Sequence, residues 1–183
     1  MKLIILDRDG VINKDSDNYI KHPDEWHPIE GSLEGIARLS RAGYRVFVAT
    51  NQSGLARGLF NIETLNSIHR KMFDAVQQVG GHIEAILFCP HGPDDGCNCR
   101  KPGPGLFEAI QQRTHTALEN VPVIGDSLRD LQAAVEVNAK PILVRSGNGE
   151  KTINQLNGIL KDIPIYDDLY SYSVKLINES EHK

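Results

Sequence analysis

Asp7 and Asp9 stand two residues apart at the end of a short apolar run, Leu3-Ile4-Ile5-Leu6, and Gly10 follows them directly. Two carboxylates held that close repel unless a cation lies between them or one keeps its proton. The pair therefore suits a hard divalent metal, acid/base work, or both. Asp-Gly also commonly ends strands in a plain turn, so the dipeptide alone leaves both readings open.

Three further stretches carry functional groups at the ends of apolar runs. Thr50-Asn51-Gln52-Ser53-Gly54 can offer a hydroxyl and backbone N–H groups to an anion, as strand-to-helix loops do for phosphate. Gly125-Asp126-Ser127 places another carboxylate at a strand tip, with Asp130 beyond it in the style of a helix cap. Magnesium is held by one or two carboxylates plus water and substrate phosphate, so Asp7 and Asp126 suit it. The Asp9 backbone carbonyl could add a ligand and leave that side chain free for proton transfer.

Cys89, His91, Cys97 and Cys99 supply three thiols and an imidazole within one short loop. That is the donor set of a Cys₃His zinc site, in tighter spacing than the common finger patterns. Four protein ligands would leave such a zinc no open position, making it structural. Arg100-Lys101-Pro102 follows at once; Lys101 could neutralise a transferring phosphoryl group and Arg100 could grip another anionic part of a substrate. His22, His27, His69, His82, His115 and His182 have no partners at ligand spacing and read as surface or core residues.

These groups need elements to carry them. Apolar runs predict strands over 2–6, 45–50, 83–89, 121–125 and 141–144, with a short one at 163–166. Helical periodicity predicts helices over 32–42, 62–79, 105–113, 127–137 and 168–177. Strands alternating with helices define an α/β class, a doubly wound and mostly parallel sheet covered on both faces. Ligands of such sheets sit beyond the carboxyl ends of the strands, where all the candidates fall. Segment 13–30 is too long for a simple connector and reads as a structured flap beside the site, with Asp15, Ser16, Asp17, Asn18 and Tyr19 available to substrate.

The 183 residues fit one domain, 1–183, with room for a full core and no large cap insertion. A net charge of −4 without a Lys/Arg-rich run argues against nucleic acid. The first apolar run is too short for a leader or a membrane span, and three clustered cysteines do not resemble a secreted disulfide framework. A cytoplasmic monomer without a membrane partner is expected.

Asp7-x-Asp9-Gly10, Thr50, Lys101 and Gly125-Asp126 with Asp130 occur in the order that marks the haloacid dehalogenase superfamily, and residues 1 to 145 resemble its phosphatases. The resemblance implies Asp7 as nucleophile, Asp9 as acid and then base, and Thr50 and Lys101 on the phosphoryl oxygens. Magnesium would join Asp7, the Asp9 carbonyl and Asp126. With the Cys/His loop and Arg100-Lys101, the chain resembles the heptose bisphosphate phosphatase family within that superfamily. This implies removal of the 7-phosphate of a small phosphorylated sugar, with Asp15 to Tyr19, Thr50, Asn51, Gln52, Ser53, Arg100 and Lys101 lining its site. Histidinol-phosphate phosphatases share the zinc loop and form the nearest alternative. Ser127 stands where some members carry lysine, and the zinc loop is short, with five residues between His91 and Cys97.

Overall fold

Along β1 (Leu3–Leu6) successive side chains enter opposite layers: Ile4 and Leu6 join one core, Leu3 and Ile5 the other. This period-2 split recurs along β2 (Arg45–Asn51), where Val46 and Val48 oppose Phe47 and Ala49. Both faces of the sheet are therefore covered, which explains why its strands are apolar almost throughout. The computed structural model describes residues 2–181, so His182 lies outside the described residues.

The other strands are β3 (Ala85–Cys89), β4 (Pro122–Gly125), β5 (Lys140–Val144) and β6 (Ile165–Tyr166). They form one sheet in the order β3-β2-β1-β4-β5-β6, parallel throughout. The connections run outward from β1 in both directions, so the chain reverses between β1 and β4. That reversal opens the crevice in which such sheets bind ligands.

Helices α1 (Ser32–Arg41), α2 (Ile62–Gln78) and α6 (Leu169–Glu181) cover one face through Ile36, Leu39, Ile68, Met72, Val76, Leu169 and Tyr172. Helices α3 (Gly105–Thr114) and α4 (Leu128–Glu136) cover the other through Phe107, Ile110, Ala133 and Ala134. Local signals set their ends. The Asn61 side chain accepts from Thr64 N at 2.9 Å to start α2, and Gly43, at φ +80°, ends α1 in a conformation that favours glycine.

Periodicity does not signal α5 (Gly149–Ile153), because five residues are too few to show a helical stripe. Segment 13–30 folds back as expected of a flap: Lys14 N bonds His27 O and Ile29 N bonds Ile12 O, while Trp26 is buried in the core. No helix among the described residues is long and apolar enough to cross a membrane.

Candidate active site

The β1 and β4 tips are joined directly, Asp7 N donating to Ile124 O at 2.9 Å. This places Asp7 and Asp126 side by side across the chain reversal, and Asp130 on the first turn of α4 joins them. One carboxylate oxygen from each of the three lies within 4.8 Å of the others. Gly10 and Gly147 permit this approach, for a Cβ on either would collide with the Asp126 carboxylate.

Lys101 is buried among them. Its Nζ reaches Asp7 Oδ1 at 2.9 Å and Asp130 Oδ1 at 2.6 Å, and donates to Ala49 O at 2.7 Å. Asp130 Oδ2 meanwhile accepts from the Ser127 amide and hydroxyl, so one carboxylate both caps α4 and balances the lysine. Sequence reasoning left Asp130 among the ordinary helix caps because nothing local signals its second contact. A reciprocal amide pair ties the lysine loop to the β2 tip: Asn51 Nδ2 donates to Lys101 O and Lys101 N to Asn51 Oδ1, both at 3.0 Å.

Burial, then the neighbouring Asp130, pushes the Asp7 carboxyl up to about 7 against the opposing pull of Lys101. Burial with Asp130 and Asp7 pushes Asp126 to about 8. A site that holds its carboxylates so reluctantly in anionic form is short of positive charge, so this donor set fits a hard divalent cation. Asp126 Oδ2 is aimed by Asn148, whose backbone N donates to it at 2.7 Å.

Asp9 is surrounded by donors. Arg8 donates to both its oxygens at 2.8 to 3.0 Å, Asn13 Nδ2 to Oδ1 at 2.9 Å and Gln52 Nε2 to Oδ2 at 3.0 Å. Burial alone would raise its pKa; the Arg8 charge and these hydrogen bonds outweigh burial and hold it below the usual carboxylate range. Asp7 and Asp9 thus start from opposite electrostatic settings: with no cation bound, the surroundings favour the neutral form of Asp7 and the anion of Asp9. Gln52 Nε2 also donates to Thr50 Oγ1 at 2.9 Å, leaving the Thr50 hydroxyl proton available to an anion.

The surrounding cleft of about 350 Å³ is lined by Asp7, Asp9, Asp15, Ser16, Tyr19, Thr50, Asn51, Gln52, Ser53, Arg100, Lys101, Asp126 and Asp130. Asp17 and Asn18 line shallower neighbouring clefts instead. Arg57, Arg129 and Asn148, not singled out from sequence, also face the main cleft. Tyr19 takes a left-handed backbone (φ +63°), uncommon for a non-glycine residue, and its ring lies 5.9 Å from the Arg57 guanidinium. A larger groove opens at the opposite end of the sheet, near Asn120, Asn138 and Ile159, far from these charges.

Cys89 ends β3 and sits with the other three predicted ligands. Cys89 Sγ is 3.7 Å from Cys97 Sγ and 3.2 Å from Cys99 Sγ; His91 Nδ1 is 3.5 Å from Cys89 and 3.2 Å from Cys99. Ligands about 2.3 Å from a tetrahedral zinc stand roughly 3.8 Å apart, so the quartet is close to a closed zinc site. Burial pushes the Cys89 thiol up to about 12, a barrier to thiolate formation that a bound cation removes.

Of the histidines read from the sequence as surface or core residues, His69 lies in the core, against Arg8. It is buried on α2, and burial with the adjacent Arg8 charge pushes its pKa down to about 3. The folded protein then keeps the ring neutral while the unfolded chain protonates it below about pH 6.5, so stability drains away as pH falls through that window. His69→Gln is expected to gain about 2 kcal/mol relative to wild type between pH 7 and pH 5. Urea unfolding at both pH values measures this; an unchanged difference would rule out a buried neutral ring.

Two family profiles match the chain, a HAD-hydrolase-like profile over residues 98–171 and a polynucleotide kinase 3 phosphatase profile over residues 2–131. It is 54% identical to a D-glycero-beta-D-manno-heptose-1,7-bisphosphate 7-phosphatase of Bordetella bronchiseptica, covering 98% of this chain and all of that one. The Pseudomonas putida protein of the same name is 51% identical, covering 97% and 100%. A crystal structure of D,D-heptose 1,7-bisphosphate phosphatase from B. bronchiseptica, complexed with magnesium and phosphate, superposes with a TM-score of 0.95 at 55% identity. It covers 98% of this chain and 99% of that one.

Proposed function

The chain belongs to the D-glycero-beta-D-manno-heptose-1,7-bisphosphate 7-phosphatases of the haloacid dehalogenase superfamily, and on that premise we propose how its residues remove the 7-phosphate. The observation that carries the reading is the convergence of Asp7, Asp126 and Asp130 at the chain reversal of the sheet, with Lys101 bridging Asp7 and Asp130. Magnesium bound by Asp7, the Asp9 backbone carbonyl and Asp126 would neutralise these carboxylates and polarise the phosphoryl oxygens.

The Asp7 carboxylate attacks the phosphorus of the 7-phosphate, forming an aspartyl-phosphate as the P–O bond to the sugar breaks. Asp9, whose surroundings favour its anion, must take up a proton before the transfer; it gives that proton to the departing sugar oxygen, then takes one from the water that attacks the aspartyl-phosphate and returns Asp7. Lys101, fixed by three partners, and the Thr50 hydroxyl meet the charge on the transferring oxygens without needing to reorganise. Arg100 lines the same cleft as Lys101 and would supply the counter-charge that the remaining phosphate of a bisphosphate needs.

Zinc on Cys89, His91, Cys97 and Cys99 would serve as a brace, since four protein ligands leave no position for substrate. Every residue given a role lies on or beside one six-stranded sheet, which supports a single catalytic domain over 1–183. A side-by-side measurement of kcat/KM is expected to favour heptose 1,7-bisphosphate over histidinol phosphate by about 100-fold or more, the margin that paired charged contacts give. Faster turnover of histidinol phosphate would overturn the substrate assignment.

A further inference from the structure

Arg8 lies between the two aspartates in sequence and is fully buried, an unusual setting for a guanidinium. Its Nε and Nη2 reach the Asp9 carboxylate, and its Nη1 lies 3.2 Å from His69 Nε2. An arginine can only donate, so His69 Nε2 accepts and the ring carries its proton on Nδ1. Leu65, Ile68 and Met72 bury the same face of α2, and that apolar packing holds the ring in place. A helix from the covering layer thereby reaches, through one buried cation, a carboxyl group in the cleft.

We propose that Arg8 and His69 are a positioning pair for the reaction: His69 aims the guanidinium, and the guanidinium fork holds the Asp9 carboxyl where it meets the leaving oxygen. Arg8 uses two of its nitrogens on Asp9, and a planar fork so engaged fixes the plane of the carboxylate as well as its distance. Without an acceptor at His69, Nη1 loses its partner and the fork is free to turn. The inference rests on the reading of Asp9 as proton donor.

Leaving-group basicity separates positioning from simple support of the fold. A sugar alkoxide must be protonated as it departs, whereas p-nitrophenolate leaves without a proton. His69→Phe removes the acceptor in similar volume and is expected to lower kcat on the heptose bisphosphate by about 10- to 100-fold, with KM within about 2-fold. In the first turnover on p-nitrophenyl phosphate, before water attack needs Asp9 as base, p-nitrophenolate release by the same variant should stay within about 3-fold of wild type. His69→Gln restores an acceptor and should recover most of the lost rate. Arg8→Lys keeps the charge but not the fork, and should repeat the asymmetry if His69→Phe folds poorly.

Equal first-turnover losses on the two substrates, or full activity in His69→Phe, would overturn the positioning pair. Asp9→Asn provides the reference. An absence of asymmetry in that variant would instead overturn the role of Asp9, while a wild-type enzyme inactive on the heptose bisphosphate would strike only the substrate assignment.

Discussion

Asp7→Asn is expected to lower kcat by about 10⁴-fold or more while leaving the protein folded. An amide oxygen is a poor nucleophile. The stability side follows from the surroundings of Asp7. Its pKa is raised, so its charged form is the disfavoured one, and a neutral isostere relieves the cost of burying a charge and then the repulsion from Asp130. The melting temperature of metal-stripped Asp7→Asn should therefore equal or exceed that of wild type above about pH 7. Acid-quenched intact mass should show one phosphoryl adduct on wild type and none on the variant. Surviving turnover in the variant would end the nucleophile assignment.

Removal of zinc is expected to have the second largest effect. Cys97→Ser should reduce bound zinc from about one atom per chain to a small fraction of that, since the tetrahedral set loses a thiolate. The consequence reaches catalysis because Lys101 stands two residues beyond Cys99. Its ammonium must meet Asp7, Asp130 and the Ala49 carbonyl together, and a loosened loop weakens all three contacts. A fall in kcat/KM of about 10² to 10³ is expected, comparable to removing a preorganised charge from a transition state. Substitution of cadmium for zinc should leave turnover within a few fold, as a metal closed off by four protein ligands would touch no substrate. Elemental analysis finding no zinc in protein purified without chelators would reject the site, and a large cadmium effect would reject its purely structural role.

The two variants separate the ways in which this site depends on its scaffold. Asp7 is held by the β1 tip itself, through a backbone bond to β4, so its substitution is expected to remove chemistry without removing structure. Lys101 is held by a loop, which needs the Asn51 amide pair at one end and the Cys/His cluster at the other. Loops carry many functional groups, but they position them only when something rigid fixes their path.

Much of this was legible in the residues alone. The alternation of apolar runs with helical stripes gave the sheet and its covering layers, because burial on both faces forces that pattern onto each strand. Asp7, Thr50 and Asp126 stood out because each follows an apolar run, and the end of a strand is where a polar side chain can meet a ligand. The Cys/His set was visible because its four members are close in sequence, so little folding is needed to gather them. The short helix α5 escaped notice for lack of length, and with it Asn148, which aims Asp126.

The sequence by itself determined which chemical groups stand at the strand ends and that they belong to one crevice. Only the tertiary structure decided how they are paired. His69 meets Arg8 across 61 residues, Asn51 meets Lys101 across 50, and Asp130 turns from an ordinary helix cap into a counter-ion for a buried lysine. Such contacts depend on how helices and loops pack against the sheet. Periodicity tells which face of an element is buried, but not which neighbour will be waiting there.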